Sequence, residues 1–109
     1  MKEAVQEYKI NVHAEPIDGL SMAKYEFECQ FYTRSNKVVT IPKIEMKKSE
    51  VDGIEDDNNY IAILDSEKIK RLEKGSLKMK FVAHIPDSDF SDGFRTEIVD
   101  NICTGVVIT

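Results

Sequence analysis

The stretch that decides the fold is Leu77–Ile85, LKMKFVAHI. Its odd-numbered positions are apolar and its even-numbered positions are mostly polar, with Val82 as the exception. Because successive side chains on a β-strand point to opposite faces, this alternation predicts a strand with one face in a core and the other in water. A turn-rich run follows at Asp87–Gly93, and a second extended stretch at Phe94–Val99. The sequence therefore predicts a long hairpin around which the other strands pack.

Further strand signals precede and follow this hairpin. Tyr25–Phe31 alternates without exception, and Tyr8–Val12 alternates over fewer residues. Tyr60–Leu64 is a continuous apolar run, typical of a strand that is covered on both sides. Lys47–Asn59 is expected to be a polar loop. Shorter strands are predicted at Val38–Ile41, at Ile44–Met46 and, as a small hairpin or a final strand with a bulge, at Ile102–Ile108.

One short helix is predicted near residues 66–74. Asp65 or Ser66 can cap its N-terminus, and Gly75 stands where a left-handed residue commonly ends a helix. A helix this short is marginal alone, so we expect its apolar face to dock on the sheets.

These elements predict an all-β chain, either a β-sandwich or a small barrel, with about seven or eight short strands. A chain of 109 residues corresponds to a single domain, 1–109. The expected core consists of Ile10, Val12, Tyr25, Phe27, Cys29, Phe31, Val39, Ile41, Ile61, Ile63, Ile69, Leu72, Leu77, Met79, Phe81, Ala83, Ile85 and Ile98.

The charge and hydropathy of the chain bound its partners. The net charge of -5 argues against a nucleic-acid partner, because such binding depends on neutralising phosphates. No apolar run approaches the roughly 20 residues that span a bilayer, so we expect no membrane partner. The first residues, MKEAVQEYKI, lack the apolar segment of a secretory signal, which predicts a cytoplasmic chain with reduced cysteines.

The sequence contains no motif that is typical of catalysis, phosphate binding or metal binding. His13 and His84 have no partners at metal-ligand spacing, and glycine-rich phosphate loops and nucleophile elbows are absent from the sequence. We therefore predict no catalytic, cofactor-binding or metal-binding residue, and no enzyme.

The acidic run at Asp87, Asp89 and Asp92 is the closest approach to a calcium loop. It is one residue longer than the helix–loop–helix calcium pattern, and its twelfth position is Ile98, which cannot ligate a cation. Solvated turn residues are the favoured interpretation, with calcium binding as the alternative.

Two stretches carry a family resemblance: YIAILDSEKI at Tyr60–Ile69 and IPDSDFSDGFRTEI at Ile85–Ile98. These two stretches resemble short structural proteins of tailed phages and prophages. The wider pattern at Tyr60–Ile85 is an apolar strand, a short capped helix and an alternating strand; with the Asp18–Leu20 break before the strand at Tyr25–Phe31, it resembles the immunoglobulin-like N-terminal domain of phage baseplate upper proteins. The resemblance implies an immunoglobulin-like β-sandwich and a location in a virion or in the host cytoplasm. It also implies a baseplate, tail or fibre component whose partners are other virion structural proteins.

Two structural expectations accompany this resemblance. We predict that Tyr25–Phe31 and Leu77–Ile85 lie in opposite sheets, although Glu26 and Glu28 on the first would complement lysines on the second if the two were neighbours. The separation of the two cysteines is compatible with the inter-sheet disulfide of an immunoglobulin domain, but the chain lacks the tryptophan that packs on it. Free thiols, with Cys29 in the core, are therefore predicted.

Function and self-association remain open between alternatives at this point. A stand-alone binding module, with a carbohydrate as one candidate ligand, is the second hypothesis, and Tyr32, Tyr60 and Phe90 are its candidate exposed aromatics. The uncharged C-terminal segment Val106–Thr109 is expected either to complete a sheet within the domain or to dock on a neighbouring subunit of a homo-oligomer.

Overall fold

The computed structural model describes residues 7–109, which contain seven β-strands and one short α-helix. The strands are β1 (Tyr8–His13), β2 (Glu26–Tyr32), β3 (Val38–Pro42), β4 (Lys47–Val51), β5 (Ile54–Leu64), β6 (Gly75–Pro86) and β7 (Phe94–Ile108). The helix α1 (Ser66–Lys70) connects β5 to β6. Residues 1–6 of the predicted domain lie outside the described residues. Across residues 7–109, no helix is both long and apolar enough to cross a membrane.

The strands form two antiparallel sheets around a shared core. One sheet has the order β1-β5-β4, and the other has the order β3-β2-β6-β7. This arrangement confirms the all-β class and a sandwich of two sheets. The strands β5, β6 and β7 have 11, 12 and 15 residues, so they are longer than the short strands that we predicted.

An aromatic cluster joins the two sheets at their centre. Phe27 on β2 packs edge-on against Tyr60 of the facing sheet, with ring centroids 5.2 Å apart. The Phe27 ring also packs against the tilted ring of Phe81 on β6, at a centroid distance of 5.3 Å. Such pairs contribute about 0.5–1.5 kcal/mol beyond the area that they bury. The alternation that predicted β2 and β6 therefore places their largest side chains at the contact between the sheets.

Most of the predicted core is confirmed. The residues that are buried as expected are Ile10, Val12, Tyr25, Phe27, Cys29, Phe31, Val39, Ile41, Leu72, Leu77, Met79, Phe81, Ala83 and Ile85. Ile69 is half-buried and packs against this core from α1.

The prediction of which face of β5 is buried is wrong. Ile61 and Ile63 are only half-buried, whereas Tyr60, Ala62 and Leu64 point into the core. A continuous apolar run carries no alternation, so it does not indicate which of the two faces of its strand turns inward.

Ile98 is the other core residue that we predicted wrongly, because it is 54% exposed. It lies opposite Val82 on β6, and Val82 is the residue that breaks the alternation of that strand. Residues directly opposite each other in an antiparallel pair share a face. Val82 and Ile98 therefore form an apolar contact on the outer face of the four-stranded sheet.

The prediction that Tyr25–Phe31 and Leu77–Ile85 lie in opposite sheets is wrong. The two strands β2 and β6 are hydrogen-bonded neighbours, with Phe27 opposite Ala83. The register places Val82 opposite Glu28, so the carboxylates do not lie directly across from the lysines of β6. Alternation determines the faces of a strand but not its neighbours, which is why the sequence pattern left this pairing undetermined.

The predicted polar loop at Lys47–Asn59 is also wrong, because it forms the hairpin of β4 and β5. Val51 pairs with Ile54, so Asp52 and Gly53 make a two-residue turn, with φ of 54° and 79°. Asp-Gly with two positive φ angles is typical of the type I′ turn that connects twisted strands. The tip of this hairpin is exposed, so it lacks the apolar alternation that identified the other strands.

The helix begins as predicted and ends earlier. The Asp65 carboxylate accepts the backbone N–H of Lys68 at 3.0 Å, which confirms the N-terminal cap. The helix ends at Lys70 rather than near residue 74, and Gly75, with φ of 138°, is the first residue of β6 instead of a helix end. The predicted strand at Ile44–Met46 is replaced by a 3₁₀ turn at Lys43–Glu45.

The C-terminal segment is a continuation of β7. Its register against β6 shifts twice, and Asn101 and Gly105 have positive φ at these shifts. This confirms the final strand with a bulge. Val107 and Ile108 pair with β6, so the segment completes a sheet within the domain.

Candidate interaction surfaces

The two histidines lie on the surface and are held by local contacts. His13 Nδ1 is 2.8 Å from the backbone oxygen of Asn58, and His84 Nε2 is 3.9 Å from a carboxylate oxygen of Glu28. Among the described residues, no cluster of three or more His, Cys, Asp or Glu side chains could hold a metal ion.

The acidic run between β6 and β7 forms its own turn. The carboxylates of Asp87 and Asp92 accept the backbone N–H groups of Asp89 and Phe94, at 3.0 and 3.1 Å. These are the self-bonded turns that aspartate commonly makes. Arg95 donates to Asp87, to Glu97 and to the distant Asp18, which lies 77 positions earlier, and thereby ties the turn to the loop that follows β1.

The two cysteines are free thiols in contrasting surroundings, which confirms the predicted absence of a disulfide bond between them. Cys29 is fully buried, and burial raises the pKa of its thiol to about 12. Cys103 is exposed on β7, where Lys78 Nζ donates to its sulfur at 3.5 Å.

An apolar groove separates the free edge of β1 from β7. Two cavities of about 280 Å³ each lie along it, and Met79 and Ile102 line both. Val12, Phe81 and Val99 complete the apolar wall of one cavity. The groove exists because the three-stranded sheet ends at β1, whereas the facing sheet continues beyond β6 to β7.

A second concave site lies on the four-stranded sheet, next to the acidic turn. Phe94, which is 47% exposed, and His84 line a cavity of about 290 Å³ together with the polar side chains of Glu26, Asp92 and Thr96. An apolar surface with a few converging polar groups is typical of small-molecule sites. The sequence analysis placed Phe94 at the start of a predicted strand, but no pattern indicated that its ring would line a cavity.

The candidate aromatics for a binding module are not brought together. Tyr60 is buried in the core and is therefore wrong as an exposed aromatic. The Tyr32 hydroxyl donates to Asp100 at 2.7 Å, which raises the pKa of Tyr32 and lowers the pKa of Asp100. Phe90 is 50% exposed at the tip of the acidic turn.

The outer edge of β7 is the longest free sheet edge in the described chain, at 15 residues. Three apolar side chains on this strand, those of Ile98, Val99 and Val107, are each more than half exposed. An edge strand offers unpaired backbone groups to another chain, so this edge is a candidate for protein–protein contact.

Comparison with known proteins identified no relative of this chain. A scan against protein-family models, a search of curated proteins and a search of solved structures each found no match.

Proposed function

We propose that this chain is an immunoglobulin-like domain that acts as a structural assembly module of a phage or prophage particle, in a baseplate, tail or fibre. Its partners in this proposal are other virion structural proteins, bound through protein–protein contacts. The observation that carries the proposal is the order of the strands in the two sheets, taken together with the resemblance of the two quoted stretches.

The strand order supports an immunoglobulin-like assignment. In that fold one sheet contains strands B, E and D, and the other contains C, F and G, with C′ added beside C in variable-type domains. The orders β1-β5-β4 and β3-β2-β6-β7 correspond to B-E-D and C′-C-F-G. With this assignment β2 takes the position of C and β6 that of F, so their pairing follows from the topology. Our prediction of opposite sheets misassigned these two strands.

The two stretches that carry the resemblance lie where strands of the sandwich end and the chain turns. Tyr60–Ile69 covers the second half of β5 and most of α1, and Ile85–Ile98 covers the end of β6, the acidic turn and the start of β7. Each stretch contributes buried residues to the shared core, namely Tyr60, Ala62 and Leu64 from the first and Ile85 from the second. The virion role is taken from this resemblance, and an assembly role is consistent with the long free edge of β7.

The proposal is tested on particles from a host that carries the gene. Particles are induced, purified by density gradient and analysed by quantitative mass spectrometry, with an abundant cytoplasmic enzyme as the contamination control. We expect this chain to be enriched with the tail proteins at a constant ratio to them. A chain that stays in the cell extract and fractionates with the cytoplasmic enzyme contradicts the virion role.

A stand-alone binding module is the second candidate, and the cavity beside Phe94 favours it. The exposed ring of Phe94 lies among carboxylate, imidazole and hydroxyl groups, which could orient a polar ligand such as a carbohydrate. A glycan array with the wild-type chain and with Phe94→Ala tests this candidate. Binding that Phe94→Ala abolishes supports it, and the absence of binding by the wild type contradicts it.

A further inference from the structure

The groove between β1 and β7 lies where the two sheets differ in width. The three-stranded sheet ends at β1, whereas the facing sheet extends past β6 to β7. The groove-facing side chains of β7 therefore have no strand opposite them: Val99 is 55% exposed, and Ile102 and Val106 are half-buried. One further strand beside β1 would make the two sheets equal in width and would cover these side chains.

The outer edge of β1 is able to accept such a strand. β1 pairs with β5 over six consecutive residues, Tyr8–His13, without a register shift. No turn or loop of residues 7–109 hydrogen-bonds to the backbone of this strand. A regular free edge offers its N–H and C=O groups to an added strand. β1 therefore supplies main-chain partners beside a groove that can receive side chains.

The two cavities of the groove follow β1 along its length. One is lined by Lys9, Ile10 and Asn11, and the other by the next residues, from Val12 to Glu15. Each has a volume of about 280 Å³, which is enough for a large aliphatic side chain. Every second side chain of a strand points to the same face, at intervals of about 7 Å. An added strand would thus place alternate side chains in successive cavities, so that backbone bonds give affinity and the cavities give specificity.

The walls of the groove are apolar and its two ends carry charges of opposite sign. Met79 and Ile102 line both cavities. Lys9 lies at one end, and Glu15, whose side chain is 87% exposed, lies at the other. Opposite charges that face each other across an antiparallel pair stabilise the pairing. An acidic side chain opposite Lys9 and a basic one opposite Glu15 are therefore favoured.

We propose that the edge of β1 and the apolar groove bind one extended segment of a different protein. This segment pairs antiparallel with β1 and has large aliphatic side chains at alternate positions. It carries an acidic residue opposite Lys9 and a basic residue opposite Glu15. As a partner contact this binding rests on the proposed assembly function, whereas the groove itself does not depend on the virion assignment.

The thickness of the groove argues against a second copy of this domain as its occupant. Facing sheets lie about 10 Å apart, so the space between β1 and β7 admits a single strand. A second sandwich is two sheets thick, and its edge would collide with β7. The alternating segments of residues 7–109 already lie in β1, β2 and β6, so this part of a second copy has no spare strand to donate. The net charge of -5 further disfavours the approach of a second copy.

A synthetic peptide, acetyl-Lys-Val-Thr-Val-Thr-Val-Glu-amide, tests the proposal. In antiparallel register its glutamate lies opposite Lys9, its lysine lies opposite Glu15, and its valines face the groove. Titration of the purified chain with up to about 1 mM peptide, followed by amide NMR, should give a dissociation constant on the order of 100 μM. Amide exchange over Tyr8–His13 should slow in the complex. The reordered peptide acetyl-Lys-Thr-Val-Val-Val-Thr-Glu-amide lacks the alternation and should bind at least tenfold more weakly.

Two neighbouring residues of β7 provide a matched pair of variants. Val99 lines the groove, and Ile98 points to the opposite face of the sheet. They are 55% and 54% exposed, so Val99→Asp and Ile98→Asp should both fold, which circular dichroism and thermal melting verify. Val99→Asp should weaken peptide binding at least tenfold, and Ile98→Asp should leave it unchanged. Lys9→Glu should weaken binding about two- to fivefold, and a peptide that ends in lysine instead of glutamate should recover this loss.

Five outcomes overturn the proposal. Three concern the peptides and variants: no binding of the alternating peptide, equal affinity for the reordered peptide, and equal weakening by Val99→Asp and Ile98→Asp. The other two identify another occupant. NMR contacts between residues 1–6 and Val99 in the free chain would assign the groove to this chain itself. Slower exchange over Tyr8–His13 with rising protein concentration alone would assign it to a second copy. These measurements use the purified chain and a synthetic peptide, so their failure is distinguishable from failure of the particle experiment.

Discussion

Phe81 gives the sharpest test of how the two sheets are held together. Its side chain is 5% exposed and packs on the ring of Phe27 at a centroid distance of 5.3 Å. Replacing it with alanine removes its buried surface and leaves a void, a change that costs about 3–5 kcal/mol in well-packed cores. The apolar groove next to Phe81 already opens that side of the core, so we place the expected loss at the lower end, about 3 kcal/mol.

The loss is measurable by urea denaturation with linear extrapolation, compared with Phe94→Ala as the matched control. Phe94→Ala removes the same ring from the neighbouring strand. Because Phe94 is 47% exposed, we expect this variant to lose less than about 1 kcal/mol of unfolding free energy. For a domain of this size, a 3 kcal/mol loss lowers the Tm by about 10–25 °C. If Phe81→Ala costs no more than Phe94→Ala, then the β6–β7 hairpin does not organise the core and our reasoning is wrong.

A double-mutant cycle separates the energy of the Phe27–Phe81 contact from the energy of burying each ring. Phe27→Ala and Phe81→Ala should couple by about 0.5–1.5 kcal/mol, because each loses the same ring–ring contact. Additive losses would indicate that the two rings stabilise the fold independently.

The remaining predictions concern the helix cap and the two thiols. Asp65→Ala should lower the Tm, whereas Asp65→Asn should lower it much less, because an amide oxygen can also accept the Lys68 N–H. Equal decreases in Tm for the two variants would contradict the role of Asp65 as the helix cap. That hydrogen bond lowers the pKa of Asp65, so its contribution is complete above the ordinary value of 3.8 and is lost as the pH falls further, which acid titration of the Tm measures. A thiol reagent should modify Cys103 in the native chain and Cys29 only after unfolding, and equal rates would contradict the burial of Cys29. Burial raises the pKa of Cys29 from 9.0 to about 12, so its contribution is complete below pH 9.0 and is lost as the pH rises towards about 12. Cys29→Ala should flatten the fall in unfolding free energy over this interval, and an unchanged slope would exclude this thiol as its cause.

The alternating stretches predicted the core because burial and strand geometry act on the same residues. Tyr25 and Phe31 begin and end a run in which every second side chain is apolar, and all of these are buried. The same reasoning failed at Ile61 and Ile63, where both faces of β5 are apolar and composition cannot distinguish inside from outside. Prediction of the inward face thus depended on the contrast between the two faces, not on the hydrophobicity of the strand.

The candidate surfaces could not be predicted, because they arise from contacts between strands distant in sequence. The groove between β1 and β7 requires that one sheet have three strands and the facing sheet four, which no local pattern encodes. The cavity beside Phe94 combines this residue with Glu26 and His84, from three strands that become neighbours only in the four-stranded sheet. The uncharged run on β7 was visible in the sequence, but its meaning depended on whether that strand lies at the centre or at the edge.

The groove between β1 and β7 and the free edge of β7 both result from the strand order. The three-stranded sheet ends at β1, and the described chain has no further strand beside it. Consequently Val99, Ile102 and Val106 on β7 line the groove without a facing strand, and the outer edge of β7 also has no neighbour. The groove and the free edge of β7 are therefore two neighbouring surfaces, and both arise because a sheet ends there without a further strand.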